Sequence, residues 1–118
     1  MIVDDDESIR EVVDVFLTGE GYEIVTAPNG AIALERLKES QPDVILLDAM
    51  MPVMDGREFA EAYWALPGRH ASVVLLTAAA DTPESLTGIK VDAYVAKPFD
   101  LDGLLAIVQQ QQQVTRES

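Results

Sequence analysis

The residues of this sequence that could do chemistry together are five polar side chains at the ends of short apolar runs. They are Asp4, Asp5, Asp48, Thr77 and Lys97. In open parallel α/β sheets, ligands bind beyond the carboxyl ends of the strands, in the crevice where the strand order reverses. If the first and third runs are neighbouring strands, the three carboxylates converge at such a crevice. The pattern therefore predicts a shared acidic site.

Three crowded carboxylates repel one another, and their ionised forms need compensating positive charge. Lys97 supplies one charge, and a hard divalent cation held by carboxylate, carbonyl and water oxygens would supply the rest. Mg²⁺ is the natural choice when a phosphoryl group completes its ligand shell. Asp48 then has the attributes of a nucleophile, because a carboxylate can form an aspartyl phosphate. Thr77 could donate a hydrogen bond to one phosphoryl oxygen, and Lys97 could pair with another.

Each of these residues also has an ordinary structural interpretation. The acidic run 4–6 could cap a helix and interact favourably with its dipole, and Asp6 fits that role. Asp48 could cap a loop, Thr77 could end a strand, and Lys97 could be a surface lysine before a proline. Their joint occurrence at successive strand ends favours one shared site over unrelated roles.

The elements that must position these residues are short apolar strands that alternate with helices. The apolar runs predict strands at 1–3, 23–26, 44–47, 73–76 and 93–96. Apolar residues at helical spacing predict helices around 9–17, 33–37, 59–66 and 101–108, with a weaker one at 81–86. This alternation is typical of a parallel sheet with right-handed crossovers. We therefore expect a single doubly wound α/β domain.

Composition and charge exclude several classes of protein. The chain has 118 residues, 48% of them apolar and 25% charged, which is typical of one globular domain. It has no cysteine, so disulfides, thiolate catalysis and cysteine-bound metals are excluded. No apolar run approaches the ~20 residues that span a bilayer, and we expect a cytoplasmic protein without membrane contact. The net charge of −13 repels phosphate backbones, so we expect no direct nucleic-acid binding by this segment.

Four segments together identify a family resemblance. The segments VDDDESIR, PDVILLDAMMPVMDG, VVLLTA and YVAKPF, in this order, resemble the receiver domain of two-component response regulators, as in chemotaxis regulators. The resemblance covers residues 3–110 and implies a five-stranded (βα)5 flavodoxin-like sheet of order 2-1-3-4-5. It implies a receiver domain at 1–112, followed at 113–118 by a tail or the start of a linker. The glutamine run 109–113 could be the frayed end of the last helix or could lead into that linker.

The resemblance assigns roles to the acidic residues. Asp48 is the phosphoacceptor, and the donor is a sensor histidine kinase or a histidine phosphotransfer protein. Mg²⁺ (or Mn²⁺) would bind Asp5, Asp48 and the backbone carbonyl of Met50 directly, and Asp4 through water. The protein is then a phosphorylation-activated signalling switch.

The resemblance also assigns the residues that respond to phosphorylation. Thr77 and Tyr94 match the switch pair, in which the hydroxyl moves to the phosphoryl oxygen and the ring turns inward. Lys97 matches the family's lysine, and its bond to Pro98 resembles the family's cis peptide. The change would reach the surface of the fourth helix, fifth strand and fifth helix. An effector domain, an output protein or a second copy of the chain would bind there.

Some positions depart from the family pattern. Met50 and Ala79 are apolar at positions that influence how water reaches the acyl phosphate. We therefore expect a phosphoryl lifetime unlike that of members with polar residues there. The segment 81–91 is poor in helical apolar spacing, so we expect a fourth helix that is abbreviated or mobile.

Two other classes of function stay open. A phosphorylation-independent, receiver-like interaction module would keep the fold without using the chemistry. An aspartate-nucleophile phosphohydrolase would need a second acid two residues after Asp48, and Met50 stands there. We therefore expect no enzyme acting on external substrates, only catalysis of the chain's own phosphorylation and dephosphorylation.

Overall fold

The computed structural model of the chain describes residues 1–78, 81 and 86–117. Its elements, in chain order, are β1 (Ile2–Val3), α1 (Glu7–Gly19), β2 (Thr26–Ala27), α2 (Gly30–Arg36), β3 (Val44–Asp48), α3 (Gly56–Ala65), β4 (Ser72–Thr77), β5 (Ala93–Ala96) and α4 (Leu101–Glu117). None of the helices in these ranges is long and apolar enough to cross a membrane.

The five strands form one parallel sheet in the order β2-β1-β3-β4-β5, which confirms the predicted fold class. One apolar core lies between the sheet and α2 and α3, and a second lies between the sheet and α1 and α4. Because helices cover both faces, every residue of β3 is buried. Its unbroken apolar run ends only at Asp48, the last residue of the strand, at the carboxyl end of the parallel sheet.

The second strand differs from the prediction for 23–26. Only Thr26 and Ala27 belong to β2, because they pair with Ile2 and Val3 of the two-residue β1. The residues before Thr26 have no strand partner in this register. One of their backbone groups still contributes, since the carbonyl of Val25 accepts a hydrogen bond from the Ile2 amide at 2.9 Å.

The last helix is longer than its apolar pattern predicts. It continues through the glutamine run and across the predicted division at 112/113. Its final turns are fixed by hydrogen bonds to β4 and to Asp43, the residue before β3. The Thr115 hydroxyl lies 2.9 Å from the Ser72 hydroxyl and donates to the carbonyl of Asp43 at 2.8 Å. The glutamine run is therefore helical and docked, and the division between domain and tail stays a prediction.

Two of the predicted features cannot be placed on these elements. The predicted fourth helix includes residues 82–85, and Ala79 follows β4 by two positions. Both lie outside the residues that the structure describes.

Candidate functional site

The carboxyl edge of the sheet brings the three predicted acidic residues together. Carboxylate oxygens of Asp4, Asp5 and Asp48 all lie within 4.8 Å of one another. The strand register explains the meeting, because Val3 pairs with Leu47 and the residue after each is an aspartate. Of the three side chains, Asp4 and Asp48 are buried and Asp5 is exposed.

Lys97 reaches the same cluster from the end of β5. Its Nζ lies 2.8 Å from Oδ2 of Asp4 and 3.5 Å from Oδ1 of Asp48. The lysine backbone is held in place by its neighbour strand, since its amide donates to the carbonyl of Thr77 at 2.7 Å. The peptide bond between Lys97 and Pro98 is cis. Lys97 therefore provides the positive charge that the sequence predicted for this edge.

Protein donors engage both carboxylate oxygens of Asp4. Oδ1 accepts the Asp6 amide at 2.9 Å, while Oδ2 accepts Lys97. Asp6 in turn caps α1, because its carboxylate accepts the amides of Ser8 and Ile9. The loop that carries the acids is thus tied to the start of the helix. Asp4 is left with little freedom to turn toward a ligand.

The electrostatics of the cluster show an excess of negative charge. Burial and then the charge of Asp4 raise the pKa of Asp48 to about 7, although Lys97 acts in the opposite direction. Burial alone would lower the pKa of Lys97, but its contacts with Asp4 and Asp48 outweigh burial and raise it. One ammonium faces three carboxylates, and crowded oxygen donors of this kind suit a hard divalent cation. The residues present therefore fit the predicted Mg²⁺ site.

The loop after β3 packs tightly against the end of that strand. The amide of Met50 donates to Oδ1 of Asp48 at 3.4 Å, and the Met50 side chain is 58% exposed. A Cβ added to Gly56 would lie 2.8 Å from the backbone carbonyl oxygen of Asp48. The Gly56 amide donates to the carbonyl of Ala49 at 3.0 Å. Only a residue without a side chain fits this close approach, so Gly56 supports the backbone at Asp48.

The two residues of the predicted switch pair lie on neighbouring strands. Thr77 ends β4 and is half-buried, and the Tyr94 side chain on β5 is 56% exposed. Thr77 pairs with Ala96, and Tyr94 is two residues earlier on the same strand. Because side chains two apart on a strand share a face, Thr77 and Tyr94 are diagonal neighbours on one face of the sheet.

Two residues that contact this region, Gly56 and Arg10, are not among the site residues predicted from the sequence. Gly56 follows the helix cap Asp55, and a glycine next to a helix cap often marks a close backbone approach. Arg10 lies on α1, and its Nη1 donates to the backbone carbonyl of Asp4 at 2.7 Å. Its spacing from the helix cap Asp6 is one helical turn, and that spacing was the available signal.

Comparison with known proteins agrees with this geometry. The family model described as response regulator receiver domain matches residues 1–109. The chain is 37% identical over 110 residues to the DNA-binding response regulator MtrA of Mycolicibacterium smegmatis, covering 92% of this chain and 47% of that protein. It is 38% identical over 101 residues to the probable transcriptional regulator ycf27 of Guillardia theta, covering 84% of this chain and 39% of that protein. The chain therefore spans less than half the length of these relatives.

A solved structure shares the whole fold. The CheY-like response regulator receiver domain protein of Methanospirillum hungatei superposes with a TM-score of 0.90 and 33% sequence identity. The superposition covers 100% of this chain and 96% of that one. The strand order, the acidic cluster and these matches agree, and the chain belongs to the response-regulator receiver domain family.

Proposed function

We propose that this receiver domain is a phosphorylation-activated switch in which Asp48 accepts a phosphoryl group in a Mg²⁺-dependent reaction. The donor is a sensor histidine kinase or a histidine phosphotransfer protein. The observation that carries the proposal is the cluster itself, in which three carboxylates lie within 4.8 Å and one lysine contacts two of them.

Some residues of the chain would bind the cation directly, and one would bind it through water. Asp5, Asp48 and the backbone carbonyl of Met50 would bind it directly. Asp4 would act through water, since protein donors already engage both of its carboxylate oxygens. When bound, Mg²⁺ (or Mn²⁺) neutralises carboxylate charge and polarises the phosphoryl oxygens.

Asp48 is the nucleophile of the transfer. One of its carboxylate oxygens attacks the phosphorus while the bond from phosphorus to the donor histidine nitrogen breaks, and that nitrogen leaves with the electron pair. Lys97 already contacts Asp48 at 3.5 Å, so it can pair with a phosphoryl oxygen after small movement. The Thr77 hydroxyl, at the end of the next strand, donates to another phosphoryl oxygen.

The response to the new charge follows from the same residues. A phosphoryl group adds about −1.5 to −2 charges, which draws Lys97 and Thr77 toward Asp48. The ring of Tyr94, now 56% exposed, turns inward behind the threonine. This movement changes the surface formed by the predicted fourth helix, β5 and α4. That surface binds an effector domain or output protein, or a second copy of the chain.

The relatives suggest the kind of effector. Their printed names describe a DNA-binding response regulator and a probable transcriptional regulator, and this chain spans less than half of either. A segment with a net charge of −13 repels nucleic acid. DNA binding, where it occurs, therefore belongs to a separate effector, and this domain controls it through protein contacts.

Intact mass spectrometry tests the proposal directly. The wild type is incubated with acetyl phosphate and Mg²⁺, beside the isosteric variant Asp48→Asn and a sample with EDTA. We expect one phosphoryl adduct in the wild type and none in the other two. An adduct that persists in Asp48→Asn would remove Asp48 as the acceptor. A folded, Mg²⁺-binding wild type without any adduct would instead favour the phosphorylation-independent interaction module.

A further inference from the structure

Arg10 contacts the acidic loop from the second turn of α1. Its Nη1 donates to the backbone carbonyl oxygen of Asp4 at 2.7 Å, and the arginine is half-buried. Helical side chains tilt toward the amino terminus of their helix, so an arginine one turn inside the cap can reach back over the loop before it. A side chain of α1 is thus hydrogen-bonded to the loop that precedes the helix.

The bond falls on the peptide unit between Asp4 and Asp5, which no other hydrogen bond among the described residues reaches. The Asp4 amide is held by the carbonyl of Ala27 at 3.1 Å, and the Asp4 carboxylate is held by Asp6 and Lys97. The carbonyl of Asp4 begins the peptide that leads to Asp5. Its direction therefore contributes to where the Asp5 side chain points.

The Asp5 carboxylate is less restrained than that of Asp4. Its side chain is exposed, and its carboxylate receives no hydrogen bond or ion pair from any residue that the structure describes. It nevertheless lies within 4.8 Å of the other two carboxylates, despite the repulsion between like charges. Backbone contacts on both sides of Asp5 restrain it, because the Asp6 amide donates to Asp4 and Arg10 donates to the carbonyl that precedes Asp5.

We propose that Arg10 is a positioning residue for the cation site. Its guanidinium fixes the Asp4–Asp5 peptide and so holds the Asp5 carboxylate beside Asp48 before the cation binds. This inference rests on the proposed Mg²⁺ site and adds a residue that acts through Asp5. Residues that orient metal ligands in this way typically change metal affinity by about 10–100-fold when they are replaced.

The charge of Arg10 and its hydrogen bond have opposite effects on cation binding. A guanidinium near the site repels Mg²⁺, so removing a purely electrostatic influence would tighten binding. Removing the hydrogen bond frees the Asp5 loop and weakens binding. The direction of the change in affinity therefore separates the two effects, and positioning predicts a loss.

Calorimetric titration of the full chain with Mg²⁺ alone, at fixed ionic strength, measures this change. Arg10→Met removes the donor and the charge at similar length, whereas Arg10→Lys keeps a charged donor. Arg36→Met is the matched control, because Arg36 of α2 also donates to a strand carbonyl, that of Thr26, outside the acidic cluster. We expect the Mg²⁺ dissociation constant to rise about tenfold in Arg10→Met, less in Arg10→Lys and not at all in Arg36→Met.

A second readout separates positioning from a purely structural role. In phosphorylation by acetyl phosphate, Arg10→Met should raise the Mg²⁺ concentration for half-maximal rate and leave the rate at saturating Mg²⁺ near that of the wild type. Urea unfolding in EDTA confirms that each variant is folded. If Arg10→Met does not fold, Arg10→Gln, which removes the charge and is too short to reach the Asp4 carbonyl, takes its place, and an affinity equal to the wild type's would overturn the inference.

The outcomes for this inference and for the proposed function are distinct. Unchanged or tighter Mg²⁺ binding by folded Arg10→Met, with normal binding by the wild type, would overturn the role of Arg10 alone. An equal loss in Arg36→Met would overturn it as well, because the effect would not be specific to the acidic loop. A folded wild type that does not bind Mg²⁺ would overturn the metal site and this inference together.

Discussion

The ammonium of Lys97 lies closer to Asp4 than to the proposed acceptor, at 2.8 Å from Asp4 and 3.5 Å from Asp48. The lysine therefore forms its shorter ion pair with the fully buried carboxylate, whose other oxygen is held by the Asp6 amide. The longer contact leaves Asp48 less firmly bound. An acceptor carboxylate that is weakly held by its counter-charge remains available to an incoming phosphoryl group.

The first prediction concerns this buried ion pair. Replacing Lys97 with methionine leaves the buried charge of Asp4 without its partner, and removing one member of a buried pair typically costs about 3–5 kcal/mol. Urea unfolding at pH 8 in EDTA should therefore show a lower free energy of unfolding by about 3 kcal/mol. The control is Lys38→Met, which removes an exposed pair with Glu35 and should change stability by less than about 1 kcal/mol. Equal effects in the two variants would contradict the importance of burial here.

The second prediction concerns the pH dependence of stability. The pKa of Asp48 is raised from 3.8 to about 7 in the folded chain. Between these two pH values the folded state therefore binds more protons than the unfolded state. Stability from this group is therefore present below about pH 4 and is lost as the pH rises toward 7. Asparagine does not ionise, so the Asp48→Asn variant does not lose this stability as the pH rises. In EDTA at pH 8 it should be more stable than the wild type by about 1–2 kcal/mol.

A second group titrates in the same range and makes the paired comparison necessary. Burial lowers the pKa of the Met1 amino group to about 5, although the charge of Asp43 opposes the shift. Because this pKa is lower in the folded chain, stability from the amino group rises with pH between about 5 and 8. Both proteins carry Met1, so its effect cancels in their difference. A difference between Asp48→Asn and the wild type that does not grow from pH 4 to pH 8 would contradict the raised pKa.

The third prediction concerns the close approach of Gly56 to the acceptor strand. In Gly56→Ala the new Cβ would meet the carbonyl oxygen of Asp48 at 2.8 Å and backbone atoms of Ala49 at 3.0 Å. Backbone cannot move aside as a flexible side chain can, so we expect a loss of stability of about 2 kcal/mol and slower phosphorylation. Gly19→Ala is the control, since nothing lies within 4 Å of its Cβ and alanine favours a helix. Normal stability and phosphorylation in Gly56→Ala would show that the loop after β3 adapts easily.

The fourth prediction concerns Val53 in the loop between β3 and α3. Its φ is 70°, which is a left-handed conformation that a β-branched residue adopts only with strain of about 1–2 kcal/mol. Its side chain is 80% exposed, so little packing is lost on replacement. Val53→Asn should raise the free energy of unfolding by about 1 kcal/mol, measured in urea. Val15→Asn, at an exposed position inside α1, should instead be neutral or slightly destabilising.

The fifth prediction concerns the lifetime of the acyl phosphate. The amide of Met50 bonds the Asp48 carboxylate, and its exposed apolar side chain offers no hydrogen bond to an attacking water. In Met50→Asn the new amide can orient such a water, so the phosphoryl group should be lost several-fold faster. A decay time course by intact mass after removal of acetyl phosphate measures the rate. A rate equal to that of the wild type would exclude Met50 as a determinant of lifetime.

The sequence alone predicted the elements that depend on local patterns. The unbroken apolar runs of β3 and β4 indicate strands buried on both faces, and the polar residues that end them indicate the functional edge. The helical spacing predicted α1, α2 and α3 close to their observed positions. These features follow from periodicity, since a buried strand and an amphipathic helix each impose a repeat on a short segment. Sequence similarity to one family supplied the strand order that local patterns leave open.

The tertiary structure alone decided the contacts between distant segments. It limited β2 to Thr26 and Ala27 through the register with β1, and it docked α4 through Thr115 beyond the apolar pattern. The fold also places Asp4, 93 positions away in the chain, as the nearer partner of Lys97. It brings Arg10 into contact with the loop that leads to Asp5. Residue spacing carries no information about such distances, because they depend on strand order, register and side-chain conformation together. The sequence by itself therefore determined which residues reach the functional edge, and only the folded chain determined which of them touch.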